Sequence, residues 1–595
     1  MATGERARTR TAAPRPARRG PRGVLAWSTA LAVVAAAHVA VSLDAVAPVQ
    51  TKDEIGYLAA ARWLATGQGS GLLTPEYAGG YAVGWGLLTA PLWWLTSHPP
   101  TVYAASVALG VVLAVALVVP ATALARLLGA GRTASLVLAT ALCLAAGRLG
   151  YTGYALPEGL LTLQLTTAVW LVVRLHRRSP TGPAPRADLA ALALLLAWLP
   201  TTHARFAPVA ALGIGVLACW AWSRRSVAGA AAVLVAGAAA AAGWLLNGHV
   251  EAVLYADVAR TAVAAEQAAS LRAGDVLALA VGHAWYAAVA WLGLAVLGWL
   301  ALLAPARDEL ATRRPGPAVW LVLGAVGQLG VGAAYLSTRL DQGGRVDQLV
   351  YGRYGDPLWF VLAVVGGAAL LARAAPARLV AAAAGVTGAL SVGALVVLRT
   401  AGARVQGFVQ LNVPGLEAWA WQRGQVFEVP WLPATLLALA VLGCLLLVAA
   451  RTGTTMTSTT MTSTTTALAA VVRTVAMALV GAVLLSAALV AEHRNIAPRD
   501  LWIQQMFTAR EAVDAHPDVP VLLIEDRPLL LSGNAMQWWL SDRDPVVLRT
   551  GRPLPAGTAD GTLVLGPVSA PPGAGVLRPV GGEPSGSYAV WQLDR

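Results

Sequence analysis

Long apolar runs recur from the start of the chain to about residue 490, and short arginine-bearing segments separate them. Several runs approach or exceed the roughly 18 residues that cross the hydrocarbon core of a bilayer. The clearest are 23–43, 106–125, 227–246, 319–336 and 379–398. The pattern therefore predicts a polytopic membrane protein built from α-helices.

About thirteen membrane-spanning helices account for these runs. The first run is longer than the roughly 7–15 apolar residues of a signal peptide, so we expect it to remain in the protein. Residues 80–95 are ambiguous, since they could form a further span or lie at the membrane interface, where tryptophans are common. The predicted helices lie near 24–43, 101–125, 133–149, 159–175, 187–201, 206–222, 228–247, 276–304, 317–337, 357–373, 379–399, 434–450 and 468–490.

Composition and charge agree with a membrane location. Hydrophobic residues make up 57% of the chain and charged residues 12%, against roughly 25% charged residues in soluble domains. The net charge of +13 comes mainly from arginines in short turns, as the positive-inside rule describes, so we expect no nucleic-acid partner. The arginine-rich tail 1–23 is predicted to be disordered and cytoplasmic. An odd number of spans then places the C-terminus outside the cell.

Four long polar stretches fall on the outer face by the same parity, at 44–79, 248–275, 338–356 and 400–433. The inner turns are short, apart from a linker rich in Thr, Ser and Met. The three cysteines lie within apolar runs and lack metal-ligand spacing, so they predict neither a disulfide nor a metal site. The membrane domain, 24–490, therefore carries its polar segments on one face.

After residue 490 the composition becomes that of a small soluble domain. Residues 501–515 have helical spacing, and short apolar segments between Gly and Pro turns predict strands. We thus expect 491–595 to form an extracytoplasmic α/β domain. Its tryptophans could bind glycan or fill a core, which leaves its role open. The predicted strands are 519–524, 546–548, 562–565 and 588–593.

Two adjacent acids open the first outer loop, directly after the first span. Asp53 and Glu54 begin a short amphipathic helix, where carboxylates favour the positive end of the helix dipole. Thr51, with Glu54 three residues later, also fits a capping box. Because a cap needs only one acid, the pair indicates a further role for Asp53.

This loop resembles that of the C-type membrane glycosyltransferases, which include protein O-mannosyltransferases, lipid A aminoarabinose transferases and cell-wall arabinosyltransferases. The resemblance rests on Asp-Glu-x-x-Tyr-Leu-x-x-Ala-Arg at 53–62, then a Gly-rich stretch, then Tyr-Ala-Val-Gly-Trp at 81–85. It implies an all-α polytopic fold of the C type and a sugar donor carried on a polyprenyl phosphate. In such enzymes a loop acid is the catalytic base or orients the acceptor, which assigns that role to Asp53 with Glu54 beside it.

Later segments add candidate residues under the same resemblance. Glu158 begins a helix, His203 and Arg205 interrupt two apolar runs, and Arg353 and Tyr354 precede another. An ordinary helix start would also explain Glu158, whereas ionisable residues at membrane depth are functional candidates by default. The complete set of substrate-binding candidates is Lys52, Tyr57, Arg62, Glu76, Glu158, His203, Arg205, Arg353 and Tyr354.

Transfer of a lipid-linked sugar needs a base for the acceptor hydroxyl and cations for the departing phosphate. Asp53 suits the first task, and Lys52, Arg205 or Arg353 the second. The sequence contains no nucleotide-binding loop motif and no zinc spacing, which fits a sugar activated beforehand on its carrier. The predicted function is therefore glycosyl transfer in the plasma membrane, from a polyprenyl-phosphate-linked sugar to an envelope glycan, lipid or protein. The family resemblance adds inversion at the sugar carbon.

Two other functions stay open at this point. A transporter of a lipid-linked precursor would need broken helices and charges at mid-membrane. A non-catalytic scaffold would keep the fold without the chemistry, and the lack of a clear second acid pair after residue 80 leaves that alternative open. Some members of the family bind a divalent cation through the loop acids, and the sequence leaves metal binding undecided.

Overall fold

The structure is a computed structural model in which long helices pack side by side around one large apolar core. A small sheet follows the last helix. The described residues are 21–43, 45–48, 51–68, 81–179, 185–254, 271–338, 340, 345–372, 377–402, 410–419, 421–423, 426–454, 463–525, 536–549, 554–555, 557–567, 576–579 and 588–594.

Apolar runs of the sequence form the long helices, and short helices occupy the turns between them. Labelled in chain order over the described residues, the α-helices are α1 (Pro21–Ser42), α2 (Thr51–Thr66), α3 (Gly84–Thr89), α4 (Leu92–Leu95), α5 (Pro99–Leu127), α6 (Arg132–Cys143), α7 (Ala146–Thr152), α8 (Glu158–His176), α9 (Arg186–Thr202), α10 (Ala207–Ser223), α11 (Val227–Leu254), α12 (Ala273–Ala290), α13 (Leu294–Ala311), α14 (Pro317–Ser337), α15 (Asp356–Leu371), α16 (Ala377–Thr400), α17 (Pro414–Glu417), α18 (Trp431–Thr454) and α19 (Ser463–Asp514).

Many of these helices have the length and hydropathy of membrane spans, which confirms the polytopic α-helical fold. Ten helices within the described residues qualify, or eleven if α6 and α7 form one bent span. Two predicted spans, 187–201 and 357–373, correspond to α9 and α15, which have only 17 and 16 residues. A straight crossing takes about 20 residues, so the number thirteen stays a prediction.

Two of the predicted helices are broken in the structure. The predicted helix 133–149 bends by 55° between α6 and α7. The predicted helix 276–304 is interrupted between α12 and α13, where Leu292 and Gly293 have positive φ angles. Left-handed backbone cannot continue a right-handed helix, and glycine adopts it most readily. Both breaks lie inside apolar runs, so hydropathy alone predicted continuous helices there.

The structure also decides between the two readings of residues 80–95. This stretch contains α3 and α4, of six and four residues, and neither is long enough to cross a bilayer. Trp94 and Leu95 at its end are 70% and 82% exposed. Exposed apolar residues of this kind suit a segment at the membrane interface.

The chain ends in a five-stranded sheet, which confirms a small C-terminal α/β domain. The strand order is β4-β3-β5-β7-β6, with β3 parallel to both neighbours and β7 antiparallel to both of its own. Strand β6 was not predicted. Helix α19 is continuous through residue 491, where the sequence placed the start of this domain. The strands are β1 (Trp421–Arg423) and β2 (Val426–Glu428), which pair with each other outside this sheet, and β3 (Val521–Glu525), β4 (Val546–Arg549), β5 (Leu563–Pro567), β6 (Val576–Pro579) and β7 (Tyr588–Asp594).

Candidate active site

Arg353 is the centre of an ionic cluster at one end of the helix bundle. Its Nε donates to Glu158 Oε1 and its Nη1 donates to Asp53 Oδ2, each over 2.5 Å. The Arg353 side chain is only 7% exposed. Burial lowers the pKa of Arg353, but the Glu158 and Asp53 carboxylates outweigh it and raise that pKa well above the ordinary value. The guanidinium therefore stays charged and joins two acids that are distant in the sequence.

The segment that carries Arg353 is fixed through its backbone. The carbonyl oxygen of Asn412 accepts hydrogen bonds from the backbone N–H groups of Gly352 and Arg353, at 2.9 and 3.1 Å. The Asn412 side chain in turn donates to Asp347 Oδ2 over 2.7 Å. Gly352 has no Cβ, and a Cβ there would collide with the ring of Tyr286. Sequence reasoning missed Asn412 and Asp347, although both lie in predicted polar loops.

Asp53 is the member of the cluster that a substrate can reach. Its side chain is 36% exposed, against 3% for Glu158. Its second oxygen, Oδ1, accepts a hydrogen bond from the Tyr81 hydroxyl over 2.9 Å. Tyr81 can lie this close to α2 because residue 56 is glycine, and a Cβ there would overlap the Tyr81 ring. Arg353 and Tyr81 thus orient a carboxylate that remains partly open.

Glu54 lies on a different side of α2 and is fully buried. Its Oε1 accepts hydrogen bonds from the Tyr103 hydroxyl over 2.8 Å and from the Ala155 backbone N–H over 2.9 Å. Successive residues of a helix point about 100° apart, so the two adjacent acids meet different partners. These contacts join α2 to α5 and to the turn before α8. They indicate a structural role for Glu54, whereas the sequence grouped it with Asp53.

Substitutions of Glu54 distinguish a structural role from a catalytic one. In Glu54→Ala, the donors at Tyr103 and Ala155 lose their acceptor, which costs roughly 1–3 kcal/mol for each buried donor left unpaired. We expect a lower free energy of unfolding, measured by tryptophan fluorescence in detergent. Glu54→Gln keeps an acceptor oxygen and should retain most of the stability and turnover. A Glu54→Gln protein that folds normally but has lost turnover would contradict the structural role.

A second cationic group lies next to the ionic cluster. The Arg205 guanidinium carbon lies 2.9 Å from the ring centroid of Tyr354 and 5.1 Å from that of Tyr335. Among the described residues, the buried Nη1 of Arg205 has no hydrogen-bond partner. His203 lies beside the same ring, 6.3 Å from Tyr354 between centroids. The buried Tyr57 lies within electrostatic range of Arg205, Arg353 and Asp53, which places the two cationic groups in one region.

Tyr57 is a buried tyrosine beside the ionic cluster. Its ring packs edge-on against Tyr81 with centroids 5.1 Å apart. Burial and the nearby Glu158 carboxylate raise the pKa of Tyr57 above its ordinary value. The phenol therefore stays protonated and adds no charge beside the two acids.

Arg148 is a buried cation near this cluster that sequence reasoning missed. It lies on α7, directly after the bend, and its Nη1 donates to Thr162 Oγ1 over 2.6 Å. A longer contact of 3.5 Å reaches the backbone oxygen of Glu158. A buried charge is costly without a counter-charge, so Arg148 compensates the negative charge of this region. An arginine inside a predicted apolar helix was the available signal.

The remaining candidates do not join the cluster. Arg62, near the end of α2, donates to the Ser541 backbone oxygen in the C-terminal domain over 2.9 Å. Lys52 lies on α2, but its side chain is outside the described part of the structure, and Glu76 is outside the described residues altogether.

Divalent-cation binding was left undecided by the sequence. No group of three or more His, Cys, Asp and Glu side chains among them could hold a metal ion. Asp53 and Glu158 already share a cation, the Arg353 guanidinium.

No family model matches the sequence, and a search of the curated proteins finds no match. Solved structures do show similarity. ArnT from Cupriavidus metallidurans, bound to undecaprenyl phosphate, is 12% identical with a TM-score of 0.49, over 95% of this chain and 98% of that one. The arabinosyltransferase EmbB from Mycobacterium smegmatis is 14% identical with a TM-score of 0.39, over 96% of this chain and 47% of that one.

A third similar structure is the oligosaccharyltransferase AglB from Archaeoglobus fulgidus, in complex with an inhibitory peptide and a dolichol-phosphate. It is 10% identical with a TM-score of 0.40, over 91% of this chain and 69% of that one. These neighbours are C-type glycosyltransferases, the family that the first-loop motif resembles.

Proposed function

We propose that this protein is a membrane glycosyltransferase that moves a sugar from a polyprenyl-phosphate carrier to a hydroxyl group of an envelope acceptor. The observation that carries the proposal is the pairing of an open carboxylate with a separate cation. Asp53 is oriented by Arg353 and remains partly exposed, while Arg205 beside it has a buried N–H group without a described partner. A base and an anion-binding group are the two requirements of this transfer.

The chemistry follows from these positions. Asp53 takes the proton of the acceptor hydroxyl, whose oxygen forms a bond to the anomeric carbon of the sugar. The bond between that carbon and the phosphate oxygen breaks, and the phosphate leaves with the electron pair. Arg205 donates hydrogen bonds to the departing phosphate, since a guanidinium fits phosphate oxygens well. One displacement of this kind inverts the configuration of the sugar carbon.

Arg353 has a different task from Arg205. Both of its described ionic contacts are to carboxylates, so its charge is compensated before a substrate binds. It holds the Asp53 carboxylate in place to accept a proton. Glu158 pairs with the same guanidinium from the buried side, and the nearby Arg148 compensates the second negative charge.

The proposed reaction takes place on the extracytoplasmic face. Helix α8 begins at Glu158 in the cluster and ends near Arg174 and Arg178, which pair with Asp188. The arginine-rich turn and the ionic cluster therefore lie at opposite ends of one span. By the positive-inside rule the arginine end faces the cytoplasm. The ionic cluster then faces the outside of the cell. On that side the sugar donor has to be carried by a lipid.

Binding of the phosphate carrier tests the role of Arg205. With undecaprenyl phosphate as the probe and the full chain in nanodiscs, we expect Arg205→Gln to weaken binding by about 10- to 100-fold, the value of one or two charge-assisted hydrogen bonds. Arg205→Lys should lose less, because it keeps the charge. The control is Arg178→Gln at the opposite end of α8, which should bind as the wild type does. Equal binding by Arg205→Gln and wild type would remove the phosphate site from the proposal.

A further inference from the structure

The C-terminal domain contacts the helix that carries Asp53. At the far end of α2, the Arg62 guanidinium donates to the backbone oxygen of Ser541 over 2.9 Å. The same guanidinium lies 5.7 Å from the ring centroid of Trp93. Arg62 therefore links α2 both to the C-terminal domain and to α4.

The beginning of α2 is supported by the same part of the domain through an aromatic contact. Trp538 is fully buried, and its ring packs edge-on against Tyr103 at 6.5 Å and against Trp93 at 6.0 Å between centroids. Tyr103 is the residue whose hydroxyl binds Glu54, and Glu54 adjoins Asp53. One tryptophan of the domain thus packs behind the side chain that fixes the start of α2.

The two parts also share one apolar core. Buried residues of α2, among them Ile55 and Leu58, belong to the same cluster as Met506 and Leu540 of the C-terminal part. Trp538 and Trp539 are both fully buried in this cluster. They are not available as a glycan-binding surface, which was one of the two roles the sequence left open for the tryptophans of this domain.

We propose that the C-terminal domain is a positioning element of the active site, which holds α2 through residues 538–541 so that Asp53 meets Arg353. This inference rests on the proposed function. Helix α2 has 16 residues and is not among the described helices that qualify as membrane spans, so its placement depends on the elements packed against it. A displacement of about 1 Å at a reacting group can cost up to roughly 100-fold in rate.

The test weakens the contact without opening a core. Arg62→Gln removes the charge that binds Ser541, whereas Arg62→Lys keeps a charge and a donor. In Arg62→Gln we expect about tenfold faster hydrogen exchange across the amides of α2. With a lipid-linked sugar as substrate, we also expect kcat to fall by about 10- to 100-fold with the donor KM unchanged. Arg62→Lys should restore both quantities.

A control variant and two separate readouts make the outcomes distinct. Asp514→Asn weakens the ion pair with Arg510 inside the domain and should leave the exchange of α2 unchanged. Equal exchange in Arg62→Gln and wild type would overturn the positioning role. A higher donor KM with an unchanged kcat would overturn it as well. Exchange needs no substrate. If α2 exchanges faster in the variant but the wild type transfers sugar from no lipid-linked donor, glycosyl transfer is refuted. The structural link between α2 and the C-terminal domain then still stands.

Discussion

Asp53→Asn should lower kcat by about 10²- to 10⁴-fold, the usual contribution of a general base, and leave the fold intact. Asparagine keeps the shape of the side chain and an oxygen that accepts from Arg353, and its amide can donate to the Tyr81 hydroxyl. It cannot take a proton from an acceptor hydroxyl. Arg353 still pairs with Glu158 in this variant, so no buried charge is left alone. The measurement is steady-state transfer by the purified full-length protein in nanodiscs, with thermal unfolding recorded on the same sample.

The matched control is Asp188→Asn, because Asp188 is also a carboxylate paired with arginines but lies at the other end of α8. It should retain wild-type turnover. Full activity of Asp53→Asn would mean that another group accepts the proton. A loss of both folding and activity would place Asp53 with the structural acids, as proposed for Glu54.

Arg353→Gln should be the most destabilising of these substitutions. It leaves Glu158, only 3% exposed, without its guanidinium partner, and breaking a buried ion pair in this way costs about 3–5 kcal/mol. Adding Glu158→Gln removes the uncompensated charge, so the double variant should regain a large part of the lost free energy of unfolding. Thermal unfolding of the single and double variants in detergent gives both quantities.

Activity distinguishes stability from function in the same pair of variants. The double variant should fold but transfer sugar poorly, because the Arg353 guanidinium no longer orients Asp53. If Arg353→Gln unfolds at the wild-type temperature, the ion pairs contribute little to stability. If the double variant folds and is fully active, Arg353 has no part in orienting the base.

The membrane fold was largely predictable, because a bilayer requires long apolar helices and the runs in the sequence show them directly. The breaks at 144–145 and 291–293 were not, since apolar residues continue through both. They depend on glycine backbone and on tertiary packing: at Gly293 a Cβ would collide with Leu442, far along the chain. Part of segment 80–95 is apolar enough to span a bilayer. It forms two short helices instead, and their ends depend on contacts with other parts of the chain.

The site was predictable as a set of residue types and less so as an arrangement. Asp53, Glu158 and Arg353 were candidates, and the contacts that join them span 300 and 195 residues of sequence, which no local pattern reveals. Glu54 and Arg62 belong to the same motif as Asp53. Glu54 faces other neighbours because successive helical positions point about 100° apart, and Arg62 does so because it lies about two and a half turns further along α2.

Glycosyl transfer at Asp53 can be tested by the pool of polyprenyl-phosphate sugars in cells that lack this protein, read by lipid mass spectrometry. The cells are complemented with wild type, Asp53→Asn or Asp188→Asn at equal protein level. We expect that one lipid-linked sugar accumulates in the null strain, persists with Asp53→Asn and disappears with wild type and with Asp188→Asn. Unchanged pools in the null strain, or full clearance by Asp53→Asn, would contradict glycosyl transfer at this site.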